Sequence, residues 1–144
     1  MREIDYIIIH CAATPEGRDV STETIKDWHV NGRGWSDIGY HYVVELDGTI
    51  GQGRDLDRSG AHTKGQNARS IGVCYVGGLE AEKTDGKYKP KDTLFGEQLD
   101  SMESLLKGLM DKYPNAKLAG HNEFAAKACP SFKVSEKFAH LIEE

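Results

Sequence analysis

Three side chains of the kinds that bind metal ions stand out in the sequence. His121 and Cys129 lie eight positions apart in the stretch GHNEFAAKACPSF, and His10 follows an apolar run near the start of the chain. Imidazole nitrogen and thiolate sulfur are common zinc ligands, and a set of three leaves a fourth coordination position for water, as in catalytic zinc sites. One histidine and one cysteine at this spacing are a weak signal alone, so the fold must bring His10 to them.

Both histidines follow predicted β-strands. Residues 4–9 are almost entirely apolar, which is typical of a strand buried on both faces, and His10 comes directly after them. Residues 117–120 predict a second short strand, with His121 at its end. Ligands bind at the carboxyl ends of strands in open sheets flanked by helices, so we expect both imidazoles in one crevice. Cys129 follows closely enough to loop back to the same crevice.

Three helices are predicted around these strands. The first begins after Ser21, a residue type that caps helix N-termini, and ends near Gly32. The second carries apolar residues at steps of three and four over 99–113. Ser135 is the predicted N-cap of the third helix. Each helix is expected to pack its apolar face against the core.

The middle of the chain predicts further strands and one long loop. Residues 40–46 and the segment after Asp47-Gly48 indicate a β-hairpin, because Asp-Gly suits the positive φ angles of a two-residue type I′ turn. Residues 51–69 are rich in glycine and polar groups without a period, which is typical of a functional loop. Another strand is predicted over 70–76. The pattern indicates an α/β fold with a central mixed β-sheet flanked by helices.

Length and charge limit the classes of function. The 144 residues suit a single domain over 1–144. Lysine and arginine are scattered among acidic residues and the net charge is -5, so the basic surface that nucleic-acid binding needs is missing. No apolar stretch approaches the length of a membrane span. We therefore expect neither nucleic acid nor membrane as a partner, and the sequence identifies no partner protein.

Cysteine usage points to a reducing compartment. Cys11, Cys74 and Cys129 form an odd set at wide spacings, which favours free thiols or metal ligation over a disulfide framework. The start of the chain, MREIDYIIIH, has none of the three regions of a signal peptide. We expect cytoplasmic synthesis, followed by release to the place of action.

Four stretches in order carry a resemblance to a known family. They are IIIHCAAT (7–14), IKDWHVNGRGWSDIGYHYVVELDGTI (25–50), GAHTKGQNARSIGVCYVGG (60–78) and GHNEFAAKACPSF (120–132). Together they resemble the zinc-dependent N-acetylmuramoyl-L-alanine amidases, which include the phage lysozyme-type amidases and the peptidoglycan recognition proteins. Four motifs in register make the match specific, and the fold that it implies is that of the peptidoglycan recognition proteins.

The resemblance implies a ligand set and two catalytic residues. His10, His121 and Cys129 fall on the family's zinc ligands, with one ion per chain, while Tyr40 and Lys127 fall on its catalytic tyrosine and lysine. The implied substrate is peptidoglycan or a muramyl peptide. The implied reaction is hydrolysis of the amide between N-acetylmuramic acid and L-alanine, as in a phage endolysin or a bacterial cell-wall amidase.

The chemistry of amide hydrolysis agrees with these roles. Zinc polarises a carbonyl and lowers the pKa of its bound water to about 7. Negative charge then gathers on the carbonyl oxygen, where a cation such as Lys127 or a phenol such as Tyr40 can stabilise it. Tyr40 suits a hydrogen-bond donor better than a base, because the ordinary pKa of a phenol is near 10. Which group protonates the leaving amine stays open.

Other polar residues of the motifs receive lesser roles. His62 and Asn67 match the family's groove-lining H-x-x-G-x-N stretch and are predicted substrate contacts. Gly72 is predicted to permit close packing of the strand backbone, and His29 is interpreted as structural. His41 is predicted to point away from the strand face that carries Tyr40. Without the motifs, each of these residues would pass for an ordinary core or loop residue.

Three alternatives compete with the amidase. A zinc deaminase needs a second cysteine two residues after the first, and Cys129 is not followed by one. A cysteine hydrolase using Cys129 and a histidine base would leave His10 without a role. A peptidoglycan-binding module without activity typically lacks the zinc cysteine, which this chain retains.

Overall fold

A five-stranded mixed sheet occupies the centre of the structure, a computed structural model that describes residues 2–142. The sequence prediction of a central mixed sheet flanked by helices is confirmed. The strands are β1 (Tyr6–Cys11), β2 (Thr14–Pro15), β3 (Tyr42–Val44), β4 (Ile50–Gln52), β5 (Ser70–Tyr75), β6 (Gly78–Leu79) and β7 (Lys117–Gly120).

The central sheet has the order β4-β3-β5-β1-β7. Its neighbours β3, β5, β1 and β7 run parallel, and β4 pairs with β3 in the antiparallel sense. The short strands β2 and β6 form a separate parallel pair that the sequence analysis does not predict. Four parallel strands place their carboxyl ends at one edge, which is where a ligand site is expected.

Helices cover both faces of the sheet. They are α1 (Thr22–Asp27), which continues into a π-helical turn (Trp28–Gly32), α2 (Gly96–Lys112), α3 (Val134–Lys137) and α4 (Ala139–Ile142). Single 3-10 turns span Asn67–Arg69 and His121–Glu123. Among the described residues, no helix has the length and apolar character needed to cross a bilayer.

The central strand β1 is buried on both faces. The side chains of Ile7, Ile8 and Ile9 are fully inaccessible, which explains why this strand has no alternating pattern. Ile7 and Ile9 belong to the cluster beneath α2 and α3, together with Met102 and Phe138. Each fully buried isoleucine contributes roughly 2 kcal/mol of hydrophobic stabilisation, so the position of β1 in the sheet is strongly determined.

Two sequence predictions about local geometry are wrong. The hairpin between β3 and β4 exists, but Gly48 (φ 93°) is left-handed while Asp47 keeps a negative φ, so the turn is not type I′. Gly48 N donates to Glu45 O at 2.9 Å, which makes a type I turn followed by a left-handed glycine. Ser135 lies inside α3, whose N-cap position is Lys133.

The long loop between β4 and β5 is anchored to the N-terminal segment. The Arg2 guanidinium donates to the carbonyl oxygens of Leu56 (2.6 Å), Asn67 (3.2 Å) and Ser70 (3.1 Å). These bonds satisfy backbone carbonyl groups that have no partner in a sheet or helix, because the segment has little secondary structure of its own. The loop therefore has defined positions at both of its ends.

The buried side chain of His41 connects the same loop to the sheet through two hydrogen bonds. Its Nδ1 accepts from Gly72 N at 3.0 Å, so its proton is on Nε2, which lies 2.7 Å from Arg58 O. The side chain is completely inaccessible, and burial lowers the pKa of His41 to about 4. These contacts give His41 a structural role that the sequence analysis does not assign to it.

We predict that His41 makes the fold sensitive to mild acid. Between about pH 6.5 and pH 4 the unfolded chain binds a proton at His41 that the folded chain does not, so the free energy of unfolding falls as pH is lowered. The full change is about 3 kcal/mol. Urea unfolding from pH 7.5 to 4.5, with chelator present, should show a shallower pH dependence for His41→Asn.

The matched control for this prediction is His140→Gln. His140 is exposed and pairs with Glu103 at the surface, where loss of an ion pair changes stability little. This variant should keep the steep pH dependence of the unsubstituted chain. Equal slopes for His41→Asn and the unsubstituted chain would contradict the assignment.

Candidate metal centre

Three residues from distant parts of the chain converge at the carboxyl edge of the sheet. The ligand atoms of His10, His121 and Cys129 all lie within 4.8 Å of one another. The rings of His10 and His121 have centroids 4.6 Å apart, and Cys129 Sγ lies 3.8 Å from His10 Nδ1. The structure thus brings together the three residues that the sequence marks as ligands.

Strand pairing positions the two histidines. Strands β1 and β7 are parallel neighbours in which Ile9 pairs with Gly120. His10 and His121 each come one residue after that pair, so they occupy adjacent positions at the same edge. His10 is buried, whereas His121 is only partly so, and the crevice therefore opens towards His121.

Backbone contacts hold the cysteine. The amide of Cys11 donates to Cys129 Sγ at 3.2 Å. The next residue, Pro130, accepts a hydrogen bond of 2.6 Å from the buried hydroxyl of Tyr75. The sequence predicts Cys11 only as a core residue, and the structure also gives its amide a role in orienting the sulfur of Cys129.

The protonation states of the cluster suit a cation. Burial, with the charges of His62 and His121, lowers the pKa of His10 well below 6.5, and burial with the charge of Lys127 lowers the pKa of His121. Both imidazoles are therefore neutral near pH 7 and can act as ligands. A hydrogen bond to Cys11, with burial, raises the pKa of Cys129. A bound cation would reverse that shift by stabilising the thiolate.

Tyr40 lies beside His10, and Lys127 lies near His121. The ring of Tyr40 lies 5.1 Å from that of His10, between centroids. Burial, together with the nearby thiols of Cys74 and Cys129, raises the pKa of Tyr40 well above 10, so its phenol stays protonated. Lys127 is exposed, and its charge acts on His121. The arrangement offers a neutral donor beside His10 and an exposed cation near His121.

His62 contacts the ring nitrogen of His10 that faces away from Cys129. Its Nδ1 is 2.8 Å from His10 Nε2 and its Nε2 is 3.2 Å from Ser70 Oγ. Burial lowers the pKa of His62 to about 3. Asn67 Oδ1 accepts from the amides of His62 and Thr63, both at 2.9 Å. Both His62 and Asn67 therefore have hydrogen-bond partners within the protein. Their contact with substrate stays a prediction.

Sequence reasoning gave no role to Thr63 or Ser70, which the structure places in this network. Thr63 Oγ1 lies 3.2 Å from His10 Nε2, and both residues are buried. Their part depends on tertiary contacts between the loop and the strand ends, which no local spacing reveals. The structural interpretation of His29 agrees with its contact, since its Nδ1 accepts from Gly39 N at 2.9 Å.

Comparison with known proteins identifies close relatives. The sequence profile of the N-acetylmuramoyl-L-alanine amidase family matches residues 1–132. The endolysin of Escherichia phage T7 is 44% identical over 131 residues, which cover 90% of this chain and 82% of the relative. The endolysin of Klebsiella phage KP32 is 42% identical over 133 residues, covering 92% and 84%.

Solved structures agree with the sequence comparison. The N-acetylmuramoyl-L-alanine amidase LysC from Clostridium intestinale has a TM-score of 0.78 and 30% identity, covering 99% of this chain and 88% of its own. A variant of Drosophila PGRP-LB in complex with tracheal cytotoxin has a TM-score of 0.71 and 28% identity, covering 94% and 82%. Since profile, relatives and folds all agree over most of its length, the chain belongs to the N-acetylmuramoyl-L-alanine amidase family and is a peptidoglycan amidase.

Proposed function

We propose that this amidase holds one zinc ion with His10, His121 and Cys129 and cleaves the amide between the lactyl group of N-acetylmuramic acid and L-alanine. The observation that carries the proposal is the convergence of these three ligand atoms within 4.8 Å at the carboxyl edge of the sheet. Two neutral imidazoles and one thiolate form a donor set that binds zinc in preference to magnesium or calcium. Such a set of three leaves a position for water.

When bound there, zinc supplies a Lewis acid for the carbonyl and a water molecule of lowered pKa. The residues of the chain do the rest. Burial keeps the imidazole of His10 neutral, and the Cys11 amide orients the sulfur of Cys129. The fold thus brings two neutral imidazoles and one oriented sulfur close together before a cation binds, which favours preorganised catalysis.

Tyr40 and Lys127 are proposed to stabilise the charge that develops on the carbonyl oxygen. The phenol of Tyr40 stays protonated because its pKa is raised well above 10, so it can donate a hydrogen bond but cannot act as a base near pH 7. Lys127 contributes a positive charge from the exposed side of the crevice. A partly buried neutral donor beside His10 and an exposed cation near His121 would both act on this oxygen.

Muramyl peptides are the proposed substrates, with peptidoglycan as the polymer. The PGRP-LB variant that shares this fold is in complex with tracheal cytotoxin, which supports a ligand of this class for the present chain. The phage endolysin relatives support a role at the cell wall. We propose that the chain reaches the wall after cytoplasmic synthesis and release.

We predict about one zinc ion per chain by elemental analysis. Release of stem peptides from muramyl peptides should stop on addition of chelator and return with zinc. Cys129→Ser should lose bound zinc and activity together, because a serine hydroxyl is a much poorer ligand than a thiolate.

Cys74→Ala provides the matched control for the cysteine test. Cys74 is a buried thiol of β5 outside the ligand set, so this variant should keep stoichiometric zinc. A different result would support a cysteine hydrolase: Cys129→Ser without activity but with full zinc content, and an unsubstituted chain that ignores chelator.

We also predict that Tyr40→Phe lowers kcat about 100-fold while zinc content is unchanged, because it removes one donor to the developing oxyanion. Lys127→Ala should lower kcat about tenfold, since an exposed charge is screened by water. Lys133→Ala is the control, an exposed lysine of the following segment. Steady-state kinetics that show no change in kcat for Lys127→Ala would remove its proposed role and leave the zinc site standing.

A further inference from the structure

The two ring nitrogens of His10 face different surroundings. Nδ1 faces Cys129 Sγ at 3.8 Å, on the side of the ligand cluster. Nε2 faces the loop between β4 and β5, 2.8 Å from His62 Nδ1 and 3.2 Å from Thr63 Oγ1. A ring nitrogen can bind a cation only through a free lone pair, so ligation by Nδ1 requires the proton on Nε2.

The neighbours of His62 complete a directed chain of hydrogen bonds. If Nε2 of His10 donates to His62 Nδ1, the proton of His62 must be on its own Nε2, which lies 3.2 Å from Ser70 Oγ. Ser70 is completely inaccessible and begins β5. The chain therefore runs from the ligand cluster through two imidazoles to a hydroxyl fixed on the sheet.

Two glycines leave room for the His62 ring. A Cβ atom on Gly72 would lie 2.6 to 2.8 Å from three atoms of this ring, and a Cβ on Gly60 would lie 2.6 Å from its Cδ2. Gly72 does not have the positive φ that favours glycine, so the ring rather than the backbone conformation excludes a side chain there. This corrects the sequence interpretation of Gly72 as a site of close backbone packing.

We propose that His62 is a positioning residue for the metal ligand His10, fixing the tautomer in which Nε2 carries the proton and Nδ1 is free for the cation. Both nitrogens of His62 have partners in the protein, and Asn67 holds the amides of His62 and Thr63. Metal-ligating histidines commonly donate their second N–H to a carboxylate or carbonyl. Here a neutral imidazole backed by Ser70 takes that place. The inference rests on the proposed zinc site.

The first test compares the zinc affinity of His62→Leu and His62→Asn. His62→Leu removes the acceptor and should weaken zinc binding about 10- to 100-fold, measured by competition with a chromogenic chelator. Asparagine can present Oδ1 near the position of the lost Nδ1, so His62→Asn should recover much of that loss. KM for muramyl peptide should stay close to that of the unsubstituted enzyme in His62→Asn.

Two control variants separate positioning from general effects on folding. Thr63→Val removes the more distant hydroxyl beside His10 and should change zinc affinity less than His62→Leu. His41→Asn replaces another buried histidine of the same region, with ring centroids 6.0 Å from His62, and should cost stability without a comparable loss of zinc affinity. Zinc binding that is unchanged in His62→Leu, with a raised KM, would overturn the inference and restore the role in substrate contact.

A spectroscopic test needs no substitution. Long-range proton–nitrogen correlation spectra of the zinc-loaded, isotope-labelled chain should show His10 protonated on Nε2 and His62 protonated on Nε2. A proton on Nδ1 of His10 would overturn the inference while leaving zinc binding intact. A chain that binds no zinc at all would instead overturn the proposed function, and the inference with it.

Discussion

Parallel pairing of β1 with β7 is the contact on which the rest of the site depends. It places Ile9 opposite Gly120, and the residues that follow each of them are the two histidines of the cluster. The register is well determined because the β1 isoleucines are inaccessible on both faces, and a slip would turn apolar side chains out of their clusters. The positions of the two histidines proposed as metal ligands thus depend on hydrophobic packing rather than on contacts between the ligands.

Buried histidine is the second theme of this structure. His10 and His41 are almost completely inaccessible, and burial lowers the pKa of each. Neutral imidazoles can both donate and accept, so they can link backbone and side-chain groups where a charged residue would be costly. Because its ring is neutral, His10 can bind a cation through a lone pair. For the same reason His41 can hydrogen-bond both the loop and the sheet. One residue type therefore serves both the proposed zinc site and the architecture of the fold.

Much of this arrangement could be predicted from residue order alone. The apolar run before His10 and the short strand before His121 indicate two strand ends, and elementary sheet topology brings them to one edge. The network behind His10 could not be predicted in this way, because His62 and Ser70 reach it through the path of a long irregular loop. Local turn chemistry also misled: Asp47-Gly48 suggests type I′, yet one left-handed residue suffices for the observed turn. In both cases tertiary packing decides between local options of similar energy.

The ligands of the proposed zinc site come from opposite ends of the chain. His10 belongs to the first strand, whereas His121 and Cys129 follow the last one. A cation held by all three acts as a cross-link that spans most of the polypeptide, and such links restrict the unfolded ensemble in the way that a disulfide does. An ion bound at the proposed site would therefore stabilise the fold against unfolding and proteolysis as well as take part in the reaction.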